Sequence, residues 1–146
     1  MFPTGFENKV KAEFPEFAND EGIVHLCSGL STWGQYRFDI DPQSKATHIQ
    51  DAAHTGLADG SARGVILDPY YSEEDYKYAG MPYVNCYDFL REGYRILKPG
   101  GLFLVLHSRP PKKPKGSELY ALIAVSMGPD RQFRCCQIFR KPDIPQ

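Results

Sequence analysis

The sequence predicts an α/β domain: five mainly parallel strands followed by a C-terminal antiparallel hairpin, with reduced helices. Three observations predict it. Short runs rich in apolar side chains recur at residues 23–28, 36–41, 47–52, 65–67 and 102–107, with the length and composition of buried strands. Residues 84–97 instead repeat Val84, Tyr87, Leu90, Tyr94 and Leu97 at three and four, the period of a helix. Residues 118–126 and 133–141 are two β-type runs joined by Gly128-Pro129-Asp130, a hairpin signal.

Taken in order, residues 6–17 set Phe6, Val10, Phe14 and Phe17 on one side of one or two helical turns after a Thr4 cap, limited by Pro15. Residues 1–22 thus read as a cover segment. The first strand, 23–28, runs into Gly29-Leu30-Ser31-Thr32-Trp33-Gly34, a turn whose backbone can approach a ligand closely. The second, 36–41, ends at Pro42 with Asp39 near its carboxyl end. The third, 47–52, ends near Asp51, and a loop over 53–62 with an Asp59-Gly60 turn follows. The fourth strand stops at Asp68-Pro69, because proline cannot join a ladder. Residues 72–82 read as a polar, aromatic loop, and six of the nine tyrosines fall between Tyr70 and Tyr87. Lys98-Pro99-Gly100-Gly101 ends the helix before the fifth strand, and residues 108–116 form a basic, proline-rich loop.

The chain has 146 residues, 42% hydrophobic and 24% charged, which suits one globular domain, 1–146, rather than disorder. No apolar run is long enough to span a bilayer, and residues 1–5 lack the features of a signal peptide. The expectation is a soluble, cytoplasmic protein without a membrane partner. Cys27, Cys86, Cys135 and Cys136 have neither metal-site nor disulfide-framework spacing, so no metal is expected and small buried side chains are. Residues 1–90 hold 6 basic and 14 acidic side chains, residues 91–146 hold 11 and 4. A basic C-terminal part points to a polyanion or to a solvated face.

The chemistry gathers around Asp68-Pro69-Tyr70-Tyr71, a carboxylate and two rings at the carboxyl edge of a central strand, where open α/β sheets bind ligands. His25 and His107 lie on core strands and read as structural, with His107 the better site candidate. Trp33 reads as packing, and Asp41 as the start of the Pro42 turn.

The glycine turn after strand one, the acids ending strands two and three, Asp-Pro-Tyr-Tyr after strand four and Leu-Lys-Pro-Gly-Gly before strand five occur in one order. In this the chain resembles the class I S-adenosylmethionine-dependent methyltransferases, whose sheet is Rossmann-like, over roughly residues 23–141. Asp68-Pro69-Tyr70-Tyr71 is similar to the Asp-Pro-Pro-Tyr motif of the amino-methyltransferases of DNA and RNA bases, with Tyr70 in place of the second proline. The resemblance implies a cofactor half over 23–62 and a catalytic half over 63–146, with S-adenosylmethionine as cofactor. Cys27, Ser28, Gly29 and Gly34 would lie against its methionine part, Asp39 and Ile40 at the ribose, and Asp51 and Ala52 at the adenine. Asp68, Pro69, Tyr70 and Tyr71 would be catalytic, the first two receiving an exocyclic amine and Tyr71 stacking on its base. Tyr71, Tyr76, His107, Arg109, Lys112 and Lys113 would contact a nucleic-acid substrate. A silent methyltransferase-fold binding subunit and a small-molecule methyltransferase are the alternatives.

The first three strands are separated by too few residues for crossover helices, which usually take at least about 10–12 residues. A bare apolar face near strands one to three is therefore expected, and with it a homodimer or a partner subunit.

Overall fold

The structure, a computed structural model, describes residues 2–3, 5–126, 128–129 and 133–143. The chain forms α1 (Phe6–Glu13), a 3₁₀ turn (Pro15–Phe17), β1 (Ile23–Leu26), β2 (Tyr36–Asp39), β3 (His48–Ile49), β4 (Ala62–Leu67), α2 (Glu73–Tyr78), α3 (Cys86–Ile96), β5 (Leu97–His107), β6 (Glu118–Val125) and β7 (Arg134–Arg140). The Thr4 cap and Asp130 of the hairpin turn fall outside the described residues. Gly5, in the left-handed region at φ 81°, precedes α1.

The seven strands lie in the order β3-β2-β1-β4-β5-β7-β6. Strands β1 to β5 pair in parallel, and β7 runs antiparallel to both β5 and β6. The expected α/β sheet of five parallel strands and a terminal hairpin is the one observed. The chain leaves β1 toward β2 and β3 on one side, and β4 returns to the other side of β1. That reversal opens a crevice at the carboxyl ends of β1 and β4, the place where such sheets take ligands.

Both faces of the central strands are covered. On one, Val24, Leu26, Phe38, Val65, Leu67, Phe103 and Val105 pack under Phe89, Leu90 and Ile96 of α3 and the Ala52-Ala53 loop. On the other, Ile23, Ile66, Leu104 and Leu106 pack under Phe6, Val10, Phe17 and Trp33. β1 is buried along its whole length. The predicted bare face is therefore corrected at β1. The nine-residue connection from β1 to β2 returns along the sheet without a helix, turning at Ser28–Ser31, and Trp33, 1% exposed, fills the space a helix would. Extended chain gains about 3.3 Å per residue, so the few residues beyond the turn are enough to return past a four-residue strand. β2 and β3 keep exposed apolar side chains, Tyr36 at 40% and Ile49 at 50%, so the expectation of a homodimer or partner subunit rests on those two strands and no longer on β1.

Two further boundaries differ from the sequence reading. α2 forms inside the segment read as a loop, held by a capping box in which Ser72 Oγ accepts from Asp75 N and the Asp75 carboxylate accepts from Ser72 N. The helix α3 passes directly into β5 at Leu97. Lys141 makes that junction possible: its Nζ donates to the Tyr94 and Leu97 carbonyls at 2.9 and 2.8 Å, replacing lost helix partners. The Pro-Gly-Gly segment is structural for a steric reason. A Cβ at Gly101 would meet Leu97 Cδ1 at 2.6 Å and the Arg63 and Lys98 carbonyl oxygens at 3.0 Å, and Gly100 has φ 78°.

Candidate active site

Leu26 of β1 and Leu67 of β4 are register partners, so Cys27 and Asp68, the next residues, leave the sheet side by side. Asp68 N donates to Leu26 O and Ser28 N to Phe38 O. These bonds seat the start of the glycine turn and the catalytic candidate on one rim. Above them lies a cleft of about 1620 Å³.

The turn is tied to β2 by Asp39. Its Oδ2 accepts from Gly29 N at 2.8 Å and its Oδ1 from Asp41 N at 2.9 Å, while Gly29 O accepts from Lys45 N. Asp39 thus shapes the turn as well as facing the cleft. Cys27 holds a left-handed backbone at φ 58° without being glycine, a rare conformation that concentrates at functional sites. Its thiol is pushed up well above its ordinary value by burial and then by Asp39 and Asp68. Ser28 is 5% exposed, and its Oγ finds no protein partner. A buried hydroxyl on a cleft wall without a partner calls for a ligand.

Asp51 accepts from Ala53 N at 2.9 Å and meets His54 Nδ1 at 3.1 Å, making an Asx turn that presents Ala52 to the cleft. That loop is braced from α3, where the buried Glu92 accepts from Thr55 Oγ1 at 2.9 Å and pairs with Arg95. Asp41 accepts from Gln43 N at 2.8 Å, the turn-initiating role expected of it.

Asp68 lies on the cleft floor with its carboxyl raised above the ordinary value by burial, opposed by the charge of Arg134 and by the Tyr71 hydroxyl. Tyr71 donates to Asp68 Oδ1 at 3.3 Å. Burial and the adjacent carboxylate push the Tyr71 phenol up, so it stays a donor. The Tyr71 ring lies 5.1 Å from the His107 ring and 5.3 Å from the Arg134 guanidinium. His107 is buried and its pKa lowered by burial, and its Nδ1 accepts from Arg109 N at 2.9 Å. That bond needs a lone pair on Nδ1 and fixes the 107–109 turn.

The structure brings Cys27, Ser28, Gly29, Asp39, Ile40, Asp51 and Ala52 to the same cleft as Asp68, Pro69, Tyr70, Tyr71, Tyr76 and Arg109. Four expected residues stand elsewhere. Gly34 lies at the opposite end of β1, where a Cβ would meet His25 Cβ at 3.3 Å and Ile23 O at 3.4 Å; the turn starts at one rim and ends at the other. His107 sits beneath Tyr71 rather than on the cleft wall. Lys112 and Lys113 are exposed and off that wall. Tyr76 is 7% exposed. Its ring sits edge-on to Tyr70 at 5.0 Å and to Tyr83 at 5.5 Å, and Cys27 and Cys86 lie in its electrostatic surroundings. These contacts put Tyr76 on the side of the β1 turn, within an aromatic wall, rather than at an exposed substrate surface.

Sequence reasoning missed Arg134 and the Phe2–Pro3 part of the cleft wall. Arg134 carried one signal, its place in the basic C-terminal part, and only strand pairing relates it to Asp68. Among the described residues no helix is long and apolar enough to cross a membrane, and no group of three or more His, Cys, Asp or Glu side chains could hold a metal ion.

No family model matches the chain, and no curated protein matches it in sequence. Solved structures do match in shape. The chain is similar to the candidate methyltransferase yhhF from Escherichia coli, with TM-score 0.63 and 12% identity over 94% of this chain and 86% of that one. A SAM-dependent methyltransferase from Aquifex aeolicus gives TM-score 0.54 and 11% identity over 94% and 93%. The 16S rRNA (adenine(1408)-N(1))-methyltransferase of Catenulisporales acidiphilia, a W203A mutant with cosubstrate SAM, gives 0.52 and 13% over 96% and 92%. At such identities the likeness is one of fold: a Rossmann-like sheet of the kind found in these methyltransferase structures.

Proposed function

We propose that this chain is an S-adenosylmethionine-dependent methyltransferase that methylates an exocyclic amine of a nucleic-acid base. The observation that carries the reading is the shared rim: Asp68-Pro69 and the Ser28-Gly29 turn emerge side by side into one cleft. The residues there fit the cofactor. Ser28 Oγ is a buried hydroxyl in need of a partner, a Cβ at Gly29 would meet nothing within 4 Å, and Asp39, Asp41 and Asp51 line that end, which suits a ligand bearing a cationic centre and ribose hydroxyls. When bound, S-adenosylmethionine supplies an electrophilic methyl group on a sulfonium.

An exocyclic amine is a poor nucleophile because its lone pair is delocalised into the base. The Asp68 carboxylate and the Pro69 carbonyl each accept one of its N–H groups, turning the lone pair out of the ring plane and toward the methyl carbon. The proton that the amine must lose on methylation would pass to Asp68, the adjacent acceptor, whose carboxyl burial raises above its ordinary value. Tyr71 holds the carboxylate in line. Most of the rate gain is positioning, up to roughly 7–11 kcal/mol for a well-oriented pair. An aromatic platform for an extruded base adds about 1–3 kcal/mol, and a single-stranded base needs no extrusion.

Calorimetric titration with S-adenosylmethionine and mass spectrometry of nucleosides from cells expressing the protein test this reading. Binding, with a methylated base that disappears in Asp68→Asn, is the expected result. A hydrogen bond to a charged acceptor is worth about 1.5–3 kcal/mol, so loss of Asp68 slows transfer at least tenfold. Cofactor binding without any methylated nucleoside would move the substrate to small molecules, and no binding at high micromolar cofactor would leave a silent scaffold.

A further inference from the structure

We infer that β6 is the docking edge for a second copy of this chain: two β6 strands pair antiparallel about a two-fold axis at Leu122 and join the sheets of two protomers into one. The inference stands apart from the proposed function and uses none of the cleft residues.

The strand order leaves β3 and β6 at the two ends of the sheet, and the two edges differ. β3 is two residues long, His48–Ile49, and a short edge resists pairing with another chain. β6 has eight residues, Glu118–Val125, and among the described residues β7 is its only strand partner. Its outer row of backbone N–H and C=O groups therefore has no ladder. From residue 119 the strand reads Leu-Tyr-Ala-Leu-Ile-Ala-Val, without the lysine, proline or inward charge that guards an edge. Its one charge, Glu118, stands at the first position, with Oε2 3.4 Å from Nε of Arg140 in the same chain. The register irregularity falls between Leu119 and Ala121, and from Ala121 to Val125 the pairing with β7 is regular. The second half of the edge is thus a straight template. Cross-strand partners share a face of the sheet. Leu119 and Leu122 stand opposite Phe139 and Gln137, on the face that α3 covers further in, yet they are 51% and 60% exposed.

A strand edge is completed by another strand, and three features fit a second copy. Two identical strands paired antiparallel make an isologous contact that closes at two protomers, so no fibre grows. About an axis at Leu122 the two Glu118 side chains stand at opposite ends of the ladder, roughly 26 Å apart at about 3.3 Å per residue. That is beyond the screening length of about 8 Å, whereas parallel pairing sets the two acids side by side. The area also suffices. Leu119, Tyr120, Leu122 and, at the Val125 end of the hairpin, Phe133 are each exposed by half or more. At roughly 150–250 Å² for a large apolar side chain they offer roughly 400–500 Å² per copy. The edge backbone and Ala124 bring this toward the roughly 600–800 Å² per partner of the smaller stable interfaces. None of these residues lines the cleft. Val125 pairs with Arg134, which does line it, so β6 ends at the cleft rim. Antiparallel pairing then turns the two clefts to opposite rims of the joined sheet and leaves both open.

The test is sedimentation velocity of the full chain over about 1–200 μM, which spans micromolar dissociation constants. Wild type is compared with Leu122→Lys, Leu122→Glu and Ile49→Lys, and each melting temperature is recorded. Wild type is expected to pass from 16.5 kDa to twice that mass with rising concentration. Leu122→Lys and Leu122→Glu alone are expected to weaken the dimer at least about tenfold, because like charges directly opposite repel. Their melting temperatures stay near that of monomeric wild type, since the side chain is exposed. An equimolar mixture of the two variants is expected to regain the dimer, a result that requires residue 122 to face itself across the axis. Ile49→Lys, on the other edge strand, is expected to match wild type. A wild type that stays monomeric throughout overturns the second copy as occupant and leaves the edge to a strand of another protein. A dimer that survives Leu122→Lys, a dimer lost in Ile49→Lys, or a mixture that stays monomeric overturns the β6 pairing.

Discussion

Asp39→Asn is the sharpest probe of how the cleft is built. The side chain keeps its size, so no cavity forms, and only the pattern of acceptors changes. In the structure each carboxylate oxygen accepts one backbone N–H, Gly29 at 2.8 Å and Asp41 at 2.9 Å. An amide has one acceptor oxygen and two N–H donors. Whichever way it is turned, one backbone N–H loses its acceptor and faces another donor. A hydrogen bond to a charged group is worth about 1.5–3 kcal/mol, and both sites are part-buried, so the cost is about 2 kcal/mol. If it falls on folding, the Tm drops by roughly 4–8 °C, at about 2–4 °C per kcal/mol in a domain of this size. If the turn relaxes instead and re-forms around the cofactor, the Kd for S-adenosylmethionine rises about thirtyfold, at a factor of ten per 1.4 kcal/mol. Differential scanning fluorimetry and calorimetry on the same sample read both. A variant with unchanged Tm and unchanged Kd refutes the assignment of Asp39 as the residue that shapes the turn.

Other outcomes follow from the same structure. Gly93→Ala on α3 is expected to destabilise the fold by about 1–2 kcal/mol in urea melts, although alanine favours a helix: its Cβ would stand 2.4 Å from Cζ of Phe103, which is fully buried. Stability also falls with acid through His25, whose pKa burial lowers from 6.5 to about 4. Between those values the unfolded chain binds a proton that the folded chain refuses, so this contribution is complete above pH 6.5 and lost as the pH falls toward 4. It amounts to about 3 kcal/mol at 1.36 kcal/mol per unit. In His25→Gln the urea midpoint loses that part of its slope between pH 4 and 6.5, and parallel curves for the two proteins refute the assignment. Removing Lys141 Nζ by Lys141→Met frees two carbonyls at the α3–β5 junction and is expected to cost about 1–3 kcal/mol, read by the same melts.

Local chemistry alone determined much of this protein. Val65-Ile66-Leu67 is too apolar for anything but a buried strand, Pro69 must end it, and the three-and-four spacing through α3 admits one helix. The resemblance built on those elements placed Asp68 and the Ser28-Gly29 turn together, and the strand register sets their neighbours side by side. Elsewhere the deciding contacts are remote in sequence. Residues 72–82 have loop composition, yet the capping box winds α2 there. Gly34 belongs to the same turn as Gly29, but the missing crossover helix makes the chain travel the length of β1 between them, so one reaches the cleft and the other the far rim. Trp33 covers the sheet because of that path. Arg134 has no motif around it; antiparallel pairing with β5 sets it over Tyr71. Periodicity and proline act within a few residues and are visible in the chain. Which face a loop crosses, and which cation meets which ring, depends on how all seven strands are ordered, and that order exists only once the sheet has formed.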